Sequence, residues 1–257
     1  MSRAVAHIDD DALTRSLAEL DRPDGDGVDI RHGIERVVLG AASVFVGTGV
    51  GLMLITEDGL TLRYVASSNE VARQLELAQE QAGEGPCVDA FVCDANVKTE
   101  ELATESRWPA LRAELRDQPI CAILGVPTRL GTPVGTLNLY CDRPRAWDAS
   151  EIAALEAYNA LLEARLGGAL IARAQGEIVD QLQFALDSRV VIERAIGLLM
   201  GRDGLDNRAA FDELRQNARS SRRRVLTVAE ELLAAHPQHA LEGDGPQAEP
   251  DGYSAPG

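Results

Sequence analysis

Lysine is almost missing from this chain: of its 25 basic residues only Lys98 is not arginine, and 41 acids bring the formal net charge to −16. A surface that acidic repels phosphate, which excludes a protein that coats nucleic acid indiscriminately. Aromatic residues make up 4%, and no apolar run approaches the roughly 18 residues that a membrane-crossing helix requires. The polar, acidic start over residues 1–11 does not read as a signal peptide, so a cytoplasmic protein with no membrane partner is expected. Cys87, Cys93, Cys121 and Cys141 make neither a CxxC pair nor a Cys/His zinc pattern. His7, His32, His236 and His239 are the only histidines, three of them in expected tails or linkers, so acid–base catalysis is poorly supplied. There is no Ser/His/Asp set, no paired catalytic carboxylates and no phosphate loop ending in GK[ST]. These absences predict a protein that is not an enzyme and has no metal or cofactor.

What the chain does contain is ordinary core material, with 45% hydrophobic residues over a length of 257, enough for one large domain or two modest ones. Leu13, Leu17 and Leu20 mark a short helix, followed by a Pro/Gly/Asp loop over 21–29. Ile34, Val37, Val38, Ala41 and Phe45 recur at helical spacing. Strand patterns cover 50–56 and 60–66 around the turn Glu57-Asp58-Gly59. A helix over 69–81 is expected to stop at Gly83-Glu84-Gly85-Pro86, where glycine ends a helix and proline forbids its continuation. A short helix through 87–91, a small strand near Val97 and a helix over 109–117 come next. Two longer strands, 120–130 and 134–141, turn at Gly131-Thr132-Pro133. Interleaved helices and antiparallel hairpins predict an α+β domain.

From Asp148 onward the pattern is helical as far as Arg202. Asp148 and Glu151 stand three apart, as in a capping box. One long connecting helix is expected, weakened at Gly167, Gly168 and Gly176. A last module carries three amphipathic helices, marked by Ile192, Ala195, Ile196 and Leu199, then Ala210, Phe211, Leu214 and Ala218, then Val225, Val228, Ala229, Leu232 and Leu233. The stretch 188–236 holds nine arginines against seven acids in a chain that is otherwise strongly acidic. Three of those arginines, Arg222, Arg223 and Arg224, are consecutive. The reading divides the chain into 1–29 (helix and acidic linker), 30–165 (α+β domain), 166–187 (connecting helix), 188–236 (three-helix module) and 237–257 (disordered tail).

The run Ser188-Arg189-Val190-Val191-Ile192-Glu193-Arg194-Ala195-Ile196-Gly197-Leu198-Leu199-Met200 resembles the first helix of an ANTAR domain. Ala209-Ala210-Phe211-Asp212-Glu213-Leu214-Arg215 and Val228-Ala229-Glu230-Glu231-Leu232-Leu233 fit the rest of that family. The resemblance implies a three-helix RNA-binding antitermination module that recognises hairpin loops in leader transcripts, generally as a dimer. Upstream, Gly83-Glu84-Gly85-Pro86-Cys87-Val88-Asp89-Ala90-Phe91, Arg107-Trp108-Pro109 and Gly135-Thr136-Leu137-Asn138-Leu139-Tyr140 resemble a GAF domain of the form found beside ANTAR domains. That likeness implies an antiparallel sheet with helices, and a sensor for an unidentified small-molecule ligand or a dimerisation surface. Two positions depart from the ANTAR pattern: Ile196 replaces a common lysine, and Arg222 replaces a common asparagine.

The candidate RNA-binding residues are Arg189, Arg194, Gly197, Arg215, Arg219, Arg222, Arg223 and Arg224, because arginine grips phosphate bidentately and stacks on unpaired bases. Arg189 and Arg194 could instead pair with neighbouring acids. Gly197 suits a close approach by RNA or by another helix. Gly83, Gly85, Pro86 and Cys87 either line a ligand pocket or reverse the chain. The expected protein is a homodimeric regulator binding dual-hairpin leader RNA. A signalling module acting through protein contacts, and a thiol sensor built on Cys87, stay open as alternatives.

Overall fold

Glycine at 131 has a φ of +80°, a backbone conformation that side chains strain, and it lets two long strands turn back on each other. These strands, β4 (Ala122–Leu130) and β5 (Thr132–Cys141), form the centre of the sheet. The computed structural model describes residues 8–22, 29–45, 47–56, 61–172 and 176–236. With β1 (Thr48–Ile55), β2 (Leu62–Ser67) and β3 (Val97–Thr99) the sheet is five-stranded and antiparallel, in the order β2-β1-β5-β4-β3. Both faces are covered, which is why β1 and β5 are buried almost continuously instead of alternating.

The helices α2 (Ile30–Val44) and α6 (Ala149–Ile171), with α1 (Asp10–Leu20) beside them, cover one face through Ile34, Val37, Leu155, Tyr158 and Leu162. On the other face α3 (Glu70–Ala82) and α5 (Pro109–Glu114) bury Leu75, Trp108 and Leu111 against Ile123 and Tyr140. Asn69 caps α3 at its start and Gly83, with φ +66°, ends it. The capping box at Asp148 and Glu151 is present at the start of α6. Between α3 and α5, the short α4 (Pro86–Cys93) packs on β4 and β5.

The single helix expected across 148–202 is two. After α6 ends at Ile171, α7 (Glu177–Asp203) starts behind Gly176, whose φ of +147° is open only to glycine. The physical cause is burial: Ile178, Leu182 and Ala185 turn inward, and α7 packs on β1 and β5. The connecting segment 166–187 is thus shared between two helices, and the 187/188 boundary falls inside α7. Helices α8 (Asn207–Ser221) and α9 (Val225–Ala235) close a bundle on α7 around Ile192, Leu199, Phe211, Leu214 and Ala229. The turn at 57–59, residues 23–28 of the acidic loop and the tail 237–257 lie outside the described residues.

Candidate nucleic-acid interface

The basic corner between α8 and α9 is built from residues that local structure does not favour. Arg222 ends α8 in the left-handed conformation at φ +52°, with its backbone N–H on the Arg219 carbonyl at 3.1 Å. Glycine or asparagine normally takes this position, since a β-carbon there costs about 1–2 kcal/mol. Arg224 is the N-cap of α9 and makes no side-chain cap bond, where a short oxygen-bearing side chain and negative charge are preferred. Arg223 pairs with Glu231, both exposed. Arg219, Arg222 and Arg224 are exposed, and among the described residues their side chains have no ion-pair partner.

The first helix behaves differently. Arg189 pairs with Glu193 at 2.6 Å, and its guanidinium lies 5.4 Å from the centre of the Phe91 ring on α4. Arg194 is exposed on the same helix. Gly197 is exposed too, and a β-carbon added there would meet nothing within 4 Å, so no neighbouring helix requires the glycine. Ile196 is buried in the core, which gives its departure from the family pattern a packing reason.

Arg215 is placed where sequence reasoning did not put it. It is buried, and its Nη1 donates to the Gly83 carbonyl at 2.8 Å. In this arrangement Arg215 is turned toward the end of α3 instead of solvent. Around it, Asn207 Nδ2 donates to the Val92 carbonyl at 2.9 Å, Arg208 pairs with Asp89, and Phe211 meets Phe91 edge-on at 6.3 Å between ring centres. Asp89 is itself held by Trp108 Nε1 at 2.9 Å. Burial raises the Asp89 carboxyl above its ordinary value, against the opposing pull of Arg208. Sequence reasoning does not single out Arg208, Asn207 or Asp89. The spacing of Arg208 and Asp212 signals a helix pair, made here at 2.9 Å, but nothing local signals Asp89 as a partner.

The glycine-rich corner is closed. Gly83, Gly85, Pro86 and Cys87 are all buried, and the space beside them is about 10 Å³, lined by Gln79, Gly83, Val88, Phe91 and Arg215. That volume is no larger than a water site, and Gly83 and Gly85 both take the positive φ of a chain reversal. Gly85 has a φ of +140° before Pro86 opens α4, and the Glu84 carboxylate caps α5 by accepting from the N–H groups of Ala110 and Leu111. Cys87 donates its N–H to Gln79 Oε1 at 3.0 Å, and burial pushes its thiol well up. Burial and a raised thiol are the opposite of the exposed, electropositive setting that reactive cysteines occupy. Behind the corner, Glu76 is fully buried; Asn138 Nδ2 donates to both its oxygens and Gln79 Nε2 to one. Burial pushes the Glu76 carboxyl up to about 8.

A larger cleft of about 380 Å³ lies at the seam between the α+β domain and the C-terminal bundle, walled by Phe91, Asp94, Pro133, Arg189, Gly197 and Met200. No helix of the described residues is long and apolar enough to cross a membrane.

The GAF domain family model matches residues 32–162 and the ANTAR domain family model residues 180–233. Two solved structures resemble the sensor. The GAF domain from the Acinetobacter phosphoenolpyruvate-protein phosphotransferase is 17% identical with a TM-score of 0.50, covering 65% of this chain and 95% of that one. The GAF domain from the phosphoenolpyruvate-protein phosphotransferase of Coxiella burnetii is 15% identical with a TM-score of 0.52, covering 64% of this chain and 96% of that one. At such identity the likeness is one of fold. No curated protein matches the chain.

Proposed function

The chain belongs to the GAF domain family and carries an ANTAR domain, a signalling module joined to an RNA-binding one, and we propose that it is a cytoplasmic, homodimeric regulator of transcription termination or translation. It binds the loops of paired hairpins in leader RNA and has no catalytic step of its own. The observation that carries this reading is the arginine run. Arg222 occupies a left-handed helix end and Arg224 an N-cap, two places where arginine is a poor local choice, and both side chains face solvent. A local rule broken without local gain points to a role in binding. Arginine at such a corner can clamp a phosphate and stack on a splayed base. The cleft at the seam has the size of a small-molecule site, which supports a ligand as the input.

Substituting Arg222→Gly together with Arg224→Ala tests the reading. Removing the strained arginine is expected to raise the melting temperature. RNA affinity, measured by titration with a labelled two-hairpin RNA carrying randomised loops, is expected to fall. Its dependence on salt becomes shallower by about one unit of slope for each phosphate no longer neutralised. Opposite movements of stability and affinity separate a binding role from a folding role. If affinity and slope match the unaltered chain, the arginine corner does not touch RNA, and output through protein surfaces becomes the better reading.

A further inference from the structure

The face of α7 and α8 that meets the sensor is made of the side chains suited to RNA, and the sensor answers it with groups that resemble those of RNA. Arg208 sits on the Asp89 carboxylate, as it would on a phosphate. Asn207 and Arg215 donate to the carbonyl oxygens of Val92 and Gly83, as they would to base or ribose acceptors. Arg189 lies over the Phe91 ring, as it would over an unstacked base. Resting on the RNA-binding reading above, we propose that the sensor's α3–α4 corner mimics an RNA loop. It occupies the RNA-reading face of α7 and α8, so sensor and RNA compete for one surface.

The chemistry of the seam favours a reversible mask over permanent packing. Burying arginine is expensive unless each charge is matched, and an apolar surface of similar volume serves simple adhesion at least as well. Among the described residues, Arg189, Arg208 and Arg215 are committed to the seam, and Phe91 and Phe211 are the aromatic pair that meets there. A partner supplying phosphates and bases replaces all of these interactions in kind. Arg219, Arg222 and Arg224 stay outside the seam, so the masked chain still offers a first foothold to RNA. Binding then proceeds at an affinity reduced by the fraction of molecules that are open.

Two sensor-side substitutions open the mask without altering the output bundle. Asp89→Asn keeps an acceptor for Trp108 but turns a donor toward Arg208. Gly83→Ala places a β-carbon within the space of the Arg215 guanidinium. The full-length double variant is expected to bind the two-hairpin RNA with randomised loops about ten-fold more tightly or better. Without RNA, amide exchange in α4 and α8 is expected to rise. Exchange and affinity both unchanged at an unchanged melting temperature would falsify the mask. Faster exchange with unaltered RNA affinity also overturns it, because RNA then does not use the docked face. Faster exchange in a chain that binds no RNA, open or closed, refutes the RNA reading itself and the mimicry with it, while the docking stands. If Gly83→Ala weakens the fold, Asp89→Asn alone is read by the same two measurements, with about a three-fold gain in affinity expected.

Discussion

Glu76 shows how much one buried group can bias this protein. Its carboxyl has no exposed surface, and burial raises it to about 8, whereas in the unfolded chain it titrates near 4.3. Between those values the folded protein keeps a proton that the unfolded chain has released. The stabilising contribution is therefore complete below the unfolded value and is lost as pH rises through the folded one. The melting temperature is expected to fall from about pH 5 to about pH 8 in the unaltered chain, and to lose much of that slope in Glu76→Gln. Parallel curves for the two proteins would assign the slope to another group. Asn138 Oδ1 is buried without a partner; turning that amide over gives it the carboxyl proton, which agrees with a neutral Glu76. None of this is legible in the sequence. Glu76 lies 62 residues from Asn138, and the helical pattern around it marks its apolar neighbours only.

The elements were largely legible, because their signals are local. Asn69 and Asp148 cap α3 and α6, Gly83 stops α3, and Pro86 and Pro109 open α4 and α5. The break between α6 and α7 was not, since Gly176 reads as a weak point in a helix until the burial of Ile178 and Leu182 turns the chain. Within α7, Gly197 is exposed and its surroundings are empty. Gly197→Ala should therefore stabilise the helix by about 1 kcal/mol, read as a higher melting temperature. RNA affinity is expected to fall in the same variant, because the added methyl keeps a backbone at a distance. A stabilised variant with undiminished affinity removes Gly197 from the interface.

At the scale of the whole molecule, the contacts across the seam are expected to couple the two parts of the chain in unfolding. An output bundle of about 50 residues is marginal alone, and it leans on α4 through Phe211, Arg208 and Arg215. Calorimetry of the unaltered chain is expected to show one cooperative transition. With Asp89→Asn and Gly83→Ala the output is expected to melt first, as a separate step. Two transitions in the unaltered chain would show that the seam does not couple the domains, and one transition in both proteins would show that contacts other than those of Asp89 and Gly83 carry the coupling.

The amino-acid pattern alone determined most of the helices and strands, the caps and the run of arginines, which depend on neighbours within a few residues, and the two families, which depend on the order of such signals along the chain. Only the tertiary structure decided what the remaining arginines do. The pair Arg208 and Asp89 spans 119 residues and Arg215 to Gly83 spans 132, and no periodicity reaches that far. An arginine on a helix carries the same local signal whether it faces RNA, solvent or its own sensor. The choice is made by which surface desolvates it and which acceptors it finds there.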